Sequence, residues 1–138
     1  MDTYNTKRGW ISGAFPAMRP LDVNKPHLFI TLEKVQYATD RLTRATYSPI
    51  ITAEKGFVTD LASVPSFLPL ALHSNRLSGP AIIHDWLYGK PSCYQGTTRK
   101  IADLIFRDAM IDNGVRKITA YTYYSFVRVF GWRYYADA

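Results

Sequence analysis

The chain has 138 residues, of which 47% are hydrophobic and 14% aromatic, a composition that fits one folded domain and excludes a disordered protein. Its one cysteine, Cys93, excludes an internal disulfide framework and a cysteine-based zinc site; it lies in a loop without a neighbouring base, which favours an ordinary cysteine over a nucleophile. The formal net charge of +6 favours anionic partners, but the basic residues are scattered, so the charge also fits solubility alone.

The first part of the chain is predicted to be an irregular N-terminal arm. Residues 1–27 are rich in glycine, proline and polar residues, and prolines at this density prevent a long helix. No basic-then-apolar signal layout opens the chain, and no apolar run reaches the ~18 residues that a membrane-spanning helix needs. Residues 28–138 are predicted to form a single α+β domain.

Three strands are predicted next. Apolar, β-branched and aromatic residues nearly alternate from Leu28 to Tyr37, with an irregularity expected near Glu33 and Lys34. Ala45–Ile51 and Gly56–Thr59 have the composition of two further strands. Because the links are too short for helical crossovers, we expect a small antiparallel sheet.

The C-terminal half has the pattern of three helices. Pro80 is suited to begin a helix over Ala81–Tyr88, since its missing N–H is not needed at that position. Thr97 or Thr98 can cap a second helix, which ends at Asn113 and Gly114, and a third runs from about residue 115 to 130. The predicted fold is therefore α+β, a small antiparallel sheet followed by a three-helix layer.

A candidate site follows from helical geometry. His84 and Tyr88 are i, i+4 neighbours and share one face, whereas Asp85 projects about 100° away from His84. Asp103, on the next helix, lies beside apolar positions, and a half-buried carboxylate needs a donor. The His84 Nδ1–H or the Tyr88 hydroxyl would serve if the two helices pack together. The alternative is that Asp103 simply pairs with Arg99 or Arg107.

These residue types also define a mechanism. Asp103 would hold the imidazole tautomer while His84 takes a proton from water. Asp85, together with backbone carbonyls from another loop, would hold a hard cation that stabilises the developing oxyanion.

The pattern His-Asp-x-x-Tyr, followed by Ala-Asp-x-x-Phe, resembles the secreted phospholipase A-two motif over about residues 81–110. The version in parvovirus capsid proteins is most similar, since it also lacks the disulfides. This resemblance implies that His84 is the general base, Asp85 the calcium-binding carboxylate, Asp103 the carboxylate that orients the histidine, and Tyr88 its support. The stretch that corresponds to the glycine-rich calcium loop of that family, Gly56–Pro65, has one glycine.

A broader resemblance runs from about Leu28 to Trp132. It includes the motifs Gly-Phe-x-Thr-Asp-x-Ala-Ser-x-Pro, His-Asp-x-Leu-Tyr and Ala-Asp-x-x-Phe, followed by a tyrosine-rich helix. The chain is similar here to small tailed-phage and prophage proteins, the domain of unknown function numbered thirteen-fifty-three. The resemblance implies a phage origin and singles out Thr59, Asp60 and Ser63. These residues fit turn chemistry, with Ser63 as a helix cap, or a loop that brings Asp60 or Ser63 to His84.

Two functions are expected from these observations. The first is hydrolysis of phospholipid or another ester during phage entry or lysis, with calcium as the candidate cation and an anionic membrane surface as a partner. The alternative is a structural component of the virion, in the tail or baseplate, that contacts other virion proteins and keeps the scaffold without catalysis. Both place the protein in the virion or the host cytoplasm. Nucleic-acid binding is not expected, because no recognised binding motif accompanies the basic and aromatic residues.

Overall fold

The computed structural model describes residues 8–41, 50–59, 75–89 and 98–131. Within these ranges strands come first and helices follow, so the predicted α+β class is confirmed. The strands are β1 (Gly9–Ser12), β2 (Met18–Asp22), β3 (Lys25–Thr31), β4 (Val35–Ala38), β5 (Ile50–Ala53) and β6 (Val58–Thr59), and the helices are α1 (Asn75–Gly89), α2 (Arg99–Asp112) and α3 (Lys117–Phe130).

The described strands form two antiparallel sheets where one was predicted. One sheet has the order β1-β4-β5 and the other the order β2-β3-β6. The irregularity expected near Glu33 and Lys34 is a complete break, since β3 ends at Thr31 and β4 begins at Val35 in the other sheet. Thr31 stabilises this break because its hydroxyl donates to the Glu54 carbonyl at 3.2 Å and accepts from the Phe57 amide at 3.0 Å.

The described part of residues 1–27 is not irregular, which corrects the sequence-based prediction. It contains β1, β2 and the start of β3. Pro20 fits into β2 because this strand lies at the edge of its sheet, where a missing N–H costs least. The turn that follows is closed by the Asp22 carboxylate, which accepts from the Asn24 amide at 3.0 Å. Gly13, with φ +78°, provides the backbone conformation needed after β1.

The helices follow the predicted order with one shifted boundary. α1 begins at Asn75, so Pro80 lies inside the helix rather than at its start. At this position proline removes the hydrogen bond that residue 80 would donate to the carbonyl of Arg76, and the helix nevertheless includes it. The Thr98 side chain caps α2 by accepting from the Ile101 amide at 3.1 Å, and Gly114 follows that helix with φ +87°, as predicted. None of the described helices has the length and apolar character needed to cross a membrane.

Helices α1 and α2 bury apolar side chains on two sides. One group packs against β4 and β5, and the other against α3; each buried aliphatic side chain contributes about 1.5–3 kcal/mol. The first group contains Val35, Tyr37, Ile51, Ala53, Ile82, Ile83, Leu87, Tyr88, Ala102, Ile105 and Ala109, and the second contains Leu77, Ala81, Phe106, Met110, Ala120, Tyr123 and Val127.

An ionic cluster around the buried Asp108 connects α2 to the strands. Asp108 binds the Arg41 guanidinium through both oxygens, with Nη2 at 3.1 Å from Oδ1, and also lies 3.2 Å from Nη1 of Arg8. One turn later, Asp112 accepts a hydrogen bond of 2.5 Å from the Tyr37 hydroxyl. These contacts hold the ends of β1 and β4 against α2.

Candidate active site

His84 and Asp103 meet between α1 and α2. The Nε2 atom of His84 lies 2.8 Å from Oδ1 of Asp103, so the predicted contact between these residues is present. The nitrogen is Nε2 rather than the expected Nδ1. Nε2 is the ring nitrogen farther from the backbone, and it therefore spans the gap between two packed helices.

Tyr88 joins the same carboxylate oxygen. Its hydroxyl donates to Oδ1 of Asp103, and its ring lies 4.1 Å from the His84 ring, centroid to centroid. Burial, reinforced by the hydrogen bond to Asp103, raises the pKa of Tyr88 above its ordinary range, so the phenol keeps its proton and acts as a donor. The i, i+4 spacing thus places both donors on one face of α1 as predicted.

The second oxygen of Asp103 faces arginines. Nη1 of Arg128, in the last turn of α3, donates to Oδ2 at 2.7 Å, and Nη1 of Arg99 lies 3.6 Å from the same atom. Arg107, the other cation considered from the sequence, instead lies 3.9 Å from Asp108 and over the rings of Tyr121 and Tyr124. Sequence reasoning missed Arg128 because the contact depends on how α3 packs. The available signal was a basic residue in the last turn of a helix.

The hydrogen bonds keep Asp103 ionised. Burial alone would raise the pKa of this carboxyl, but the donors His84, Tyr88 and Arg128 together hold it below its ordinary value. An ionised carboxylate only accepts hydrogen bonds, so Nε2 of His84 must carry the proton. The other ring nitrogen, Nδ1, is buried and has no hydrogen-bond partner in the part of the chain that the structure describes.

The His84 ring is fixed by packing as well. It stacks on Phe106 of α2 with centroids 4.5 Å apart and an interplanar angle of 28°. Only 2% of His84 and none of Asp103 is exposed. The orientation of the imidazole is therefore determined by its neighbours and not by solvent.

The end of α3 is bound to the same site. Arg99 donates from Nη1 to the Val127 carbonyl at 3.0 Å and from Nη2 to the Arg128 carbonyl at 3.1 Å. The Val127 carbonyl also accepts from the Gly131 amide, so the last turn of α3 is held by both side-chain and backbone donors. Gly131 follows directly and packs on Tyr88. All three described helices therefore contribute to the surroundings of Asp103.

Asp85 faces strand β6. It accepts a hydrogen bond from the Thr59 hydroxyl, and the neighbouring Trp86 packs edge-on against Phe57 with centroids 5.2 Å apart. Asp85 was expected to face the Gly56–Pro65 loop. Its contact with Thr59 confirms this for the described part of that loop, which ends at Thr59. Asp60, Ser63 and Cys93 lie outside the described residues.

A divalent cation has few ligands in the described part of the chain. Residues 8–41, 50–59, 75–89 and 98–131 contain no group of three or more histidine, cysteine, aspartate or glutamate side chains that could hold a metal. Calcium takes six to eight oxygens, and Asp85 is the carboxylate that the described residues place beside Thr59.

The class that emerges is an α+β domain with a buried His–Asp–Tyr–Arg cluster between its helices. The chain belongs to the family described as protein of unknown function (DUF1353), whose model matches residues 33–127. That range includes every member of the cluster except Arg128, which follows it directly. No curated protein matches the chain. No solved structure matches it either.

Proposed function

We propose that the protein is a hydrolase in which His84 acts as general base on water. The observation that supports this most directly is the difference between the two ring nitrogens of His84, of which one contacts a carboxylate and the other does not. Nε2 is held 2.8 Å from the ionised Asp103, while Nδ1 has no hydrogen-bond partner among the described residues and so is the nitrogen that could accept a proton from water. A neutral imidazole held in one tautomer by a carboxylate is the arrangement that general-base catalysis requires.

The proposed reaction is ester hydrolysis. Nδ1 takes a proton from water as the water oxygen attacks the ester carbonyl carbon, giving a tetrahedral intermediate. The bond from that carbon to the alcohol oxygen then breaks, and the proton on Nδ1 passes to the departing oxygen. Asp103 keeps its charge throughout and stabilises the imidazolium that forms between the two steps.

Phospholipid is the proposed substrate. The helix pair with His84, Asp85, Tyr88 and Asp103 resembles the phospholipase A-two motif, and the net charge of +6 complements an anionic lipid surface. We propose a phage origin on the basis of the tailed-phage resemblance, with the reaction serving entry or lysis. Calcium binding at Asp85 is a proposal of the same kind. It predicts a heat of binding at up to millimolar calcium that Asp85→Asn abolishes.

The test uses vesicles of anionic phospholipid with calcium present. Wild-type protein should release fatty acid, and both His84→Ala and Asp103→Asn should abolish the release, because the first lacks the base and the second favours the wrong tautomer. Asp108→Asn is the matched control, because Asp108 is also a buried carboxylate of α2 but binds Arg41 and not His84. This variant should retain activity at temperatures below its melting temperature. A wild type that is inert on phospholipids and on other esters would contradict the proposal.

The burial of the cluster favours a second candidate, a structural role in the virion. With only 2% of His84 exposed, the His84–Asp103 contact also suits a protein that uses these residues to join three helices. In this case the wild type has no activity, and the same substitutions lower the melting temperature or prevent incorporation into particles. Partner proteins would be other virion components, in the tail or baseplate.

A further inference from the structure

We propose that Arg128 is the positioning residue that fixes the Asp103 carboxylate, so that the last turn of α3 determines which tautomer His84 adopts. The catalytic consequence rests on the proposed function. The structural consequence does not, because it concerns the proton on the imidazole whether or not a substrate is hydrolysed.

The two oxygens of Asp103 receive different kinds of donor. Oδ1 accepts from His84 and from the Tyr88 hydroxyl, both on α1. Oδ2 accepts from the Arg128 guanidinium at 2.7 Å, across the interface with α3. Charged donors make stronger hydrogen bonds than neutral ones, so Arg128 sets the rotation of the carboxylate and leaves Oδ1 directed at α1.

Arg99 has a different structural role from Arg128, although it also lies near Oδ2 of Asp103. Its Nη1 and Nη2 atoms donate to the carbonyls of Val127 and Arg128, and its distance of 3.6 Å from Oδ2 exceeds that of a hydrogen bond. Arg99 thus holds the backbone of the last turn of α3 in place. Arg128, mounted on that backbone, makes the direct contact with Asp103.

Loss of the Arg128 side chain would leave Oδ2 without its hydrogen bond in an enclosed site. Asp103 is fully buried, and its charged and titratable neighbours among the described residues are His84 and Tyr88 on α1, Arg99 on α2 and Arg128 on α3. Without the cation, the carboxylate can rotate toward Arg99 or take up a proton. Either change weakens its hold on Nε2–H, and the imidazole can then carry its proton on Nδ1.

The experiment is nitrogen NMR of the histidine rings at neutral pH in the full chain. Wild type and Arg128→Lys, which keeps a charged donor, should show His84 with its proton on Nε2. Arg128→Met should show a substantial fraction with the proton on Nδ1. Arg116→Met is the control, because Arg116 is an exposed arginine at the other end of α3 and should leave the wild-type signature unchanged.

A wild-type His84 signature in folded Arg128→Met would overturn the proposal. If that variant does not fold, Arg128→Gln is measured instead. A larger fraction of His84 with its proton on Nδ1 than in wild type would support the proposal, and the wild-type fraction would refute it. Vesicle hydrolysis by the same variants should fall at least tenfold in Arg128→Met and recover in Arg128→Lys. An inert wild type would refute the hydrolase while the tautomer measurement still tests Arg128.

Discussion

Gly131 packs directly on the hydroxyl of Tyr88. A Cβ atom at residue 131 would lie 2.6 Å from that oxygen and 3.3 Å from Nη1 of Arg99. The backbone of Gly131 has an ordinary φ of −70°, so the glycine is needed here for space and not for conformation. The chain end of α3 can approach Asp103 only because this position has no side chain.

Gly131→Ala should therefore destabilise the protein by about 1–3 kcal/mol, the usual cost of inserting a methyl group into a packed site. Tyr88→Phe removes the clashing oxygen, so the double variant should lose less stability than the sum of the single variants. Chemical denaturation of the four proteins measures this coupling. Gly89→Ala is the control, since nothing lies within 4 Å of a Cβ at that position, and additive single effects at residues 88 and 131 would contradict the packing model.

The hydrogen bond to Asp103 should make His84→Ala costly. The substitution removes a buried donor as well as the ring that stacks on Phe106, and the lost hydrogen bond alone accounts for about 1–3 kcal/mol. Thermal unfolding should show a clear decrease in melting temperature. Lys100→Ala, at an exposed position of α2, should change stability by at most about 0.5 kcal/mol. Equal melting temperatures for the two variants would exclude a structural contribution from His84.

Asp103 should give the protein a specific sensitivity to acid. Its folded-state pKa is lowered below the ordinary value of 3.8, so its contribution to stability is complete above that pH and is lost as the pH falls through the folded-state pKa. Asp103→Asn should have a lower melting temperature than wild type at pH 7. Between pH 7 and pH 2 its melting temperature should then decline less steeply at the acid end than that of wild type. Parallel curves for wild type and variant would show that the carboxylate is not stabilised in its ionised form.

The ionic cluster around Asp108 should contribute stability without influencing the candidate site. Asp108→Asn weakens the two-oxygen contact with Arg41 and the contact with Arg8, and should cost about 1–3 kcal/mol. The His84 ring signals in NMR spectra should stay as in the wild type. A change of tautomer in this variant would mean that the two polar clusters are coupled through α2.

Local spacing was sufficient to predict the contacts that lie within one helix. His84 and Tyr88 share a face because a helix turns by 3.6 residues, and the cap at Thr98 and the termination at Gly114 depend on groups within one turn. The need of a half-buried carboxylate for a donor allowed either the contact of Asp103 with His84 or a pairing with Arg99 or Arg107, and the resemblance to phospholipase A-two favoured His84. The catalytic roles of these residues stay predictions.

Tertiary packing decided the rest, because it depends on residues far apart in the chain. The division of the strands into two sheets follows from a break at residues 32–34, where the alternation pattern indicated only an irregularity within one strand. The choice of Nε2 over Nδ1 depends on the width of the gap between α1 and α2. Arg128 reaches Asp103 only because Gly131 lets the end of α3 pack closely, and no spacing rule relates positions on two different helices.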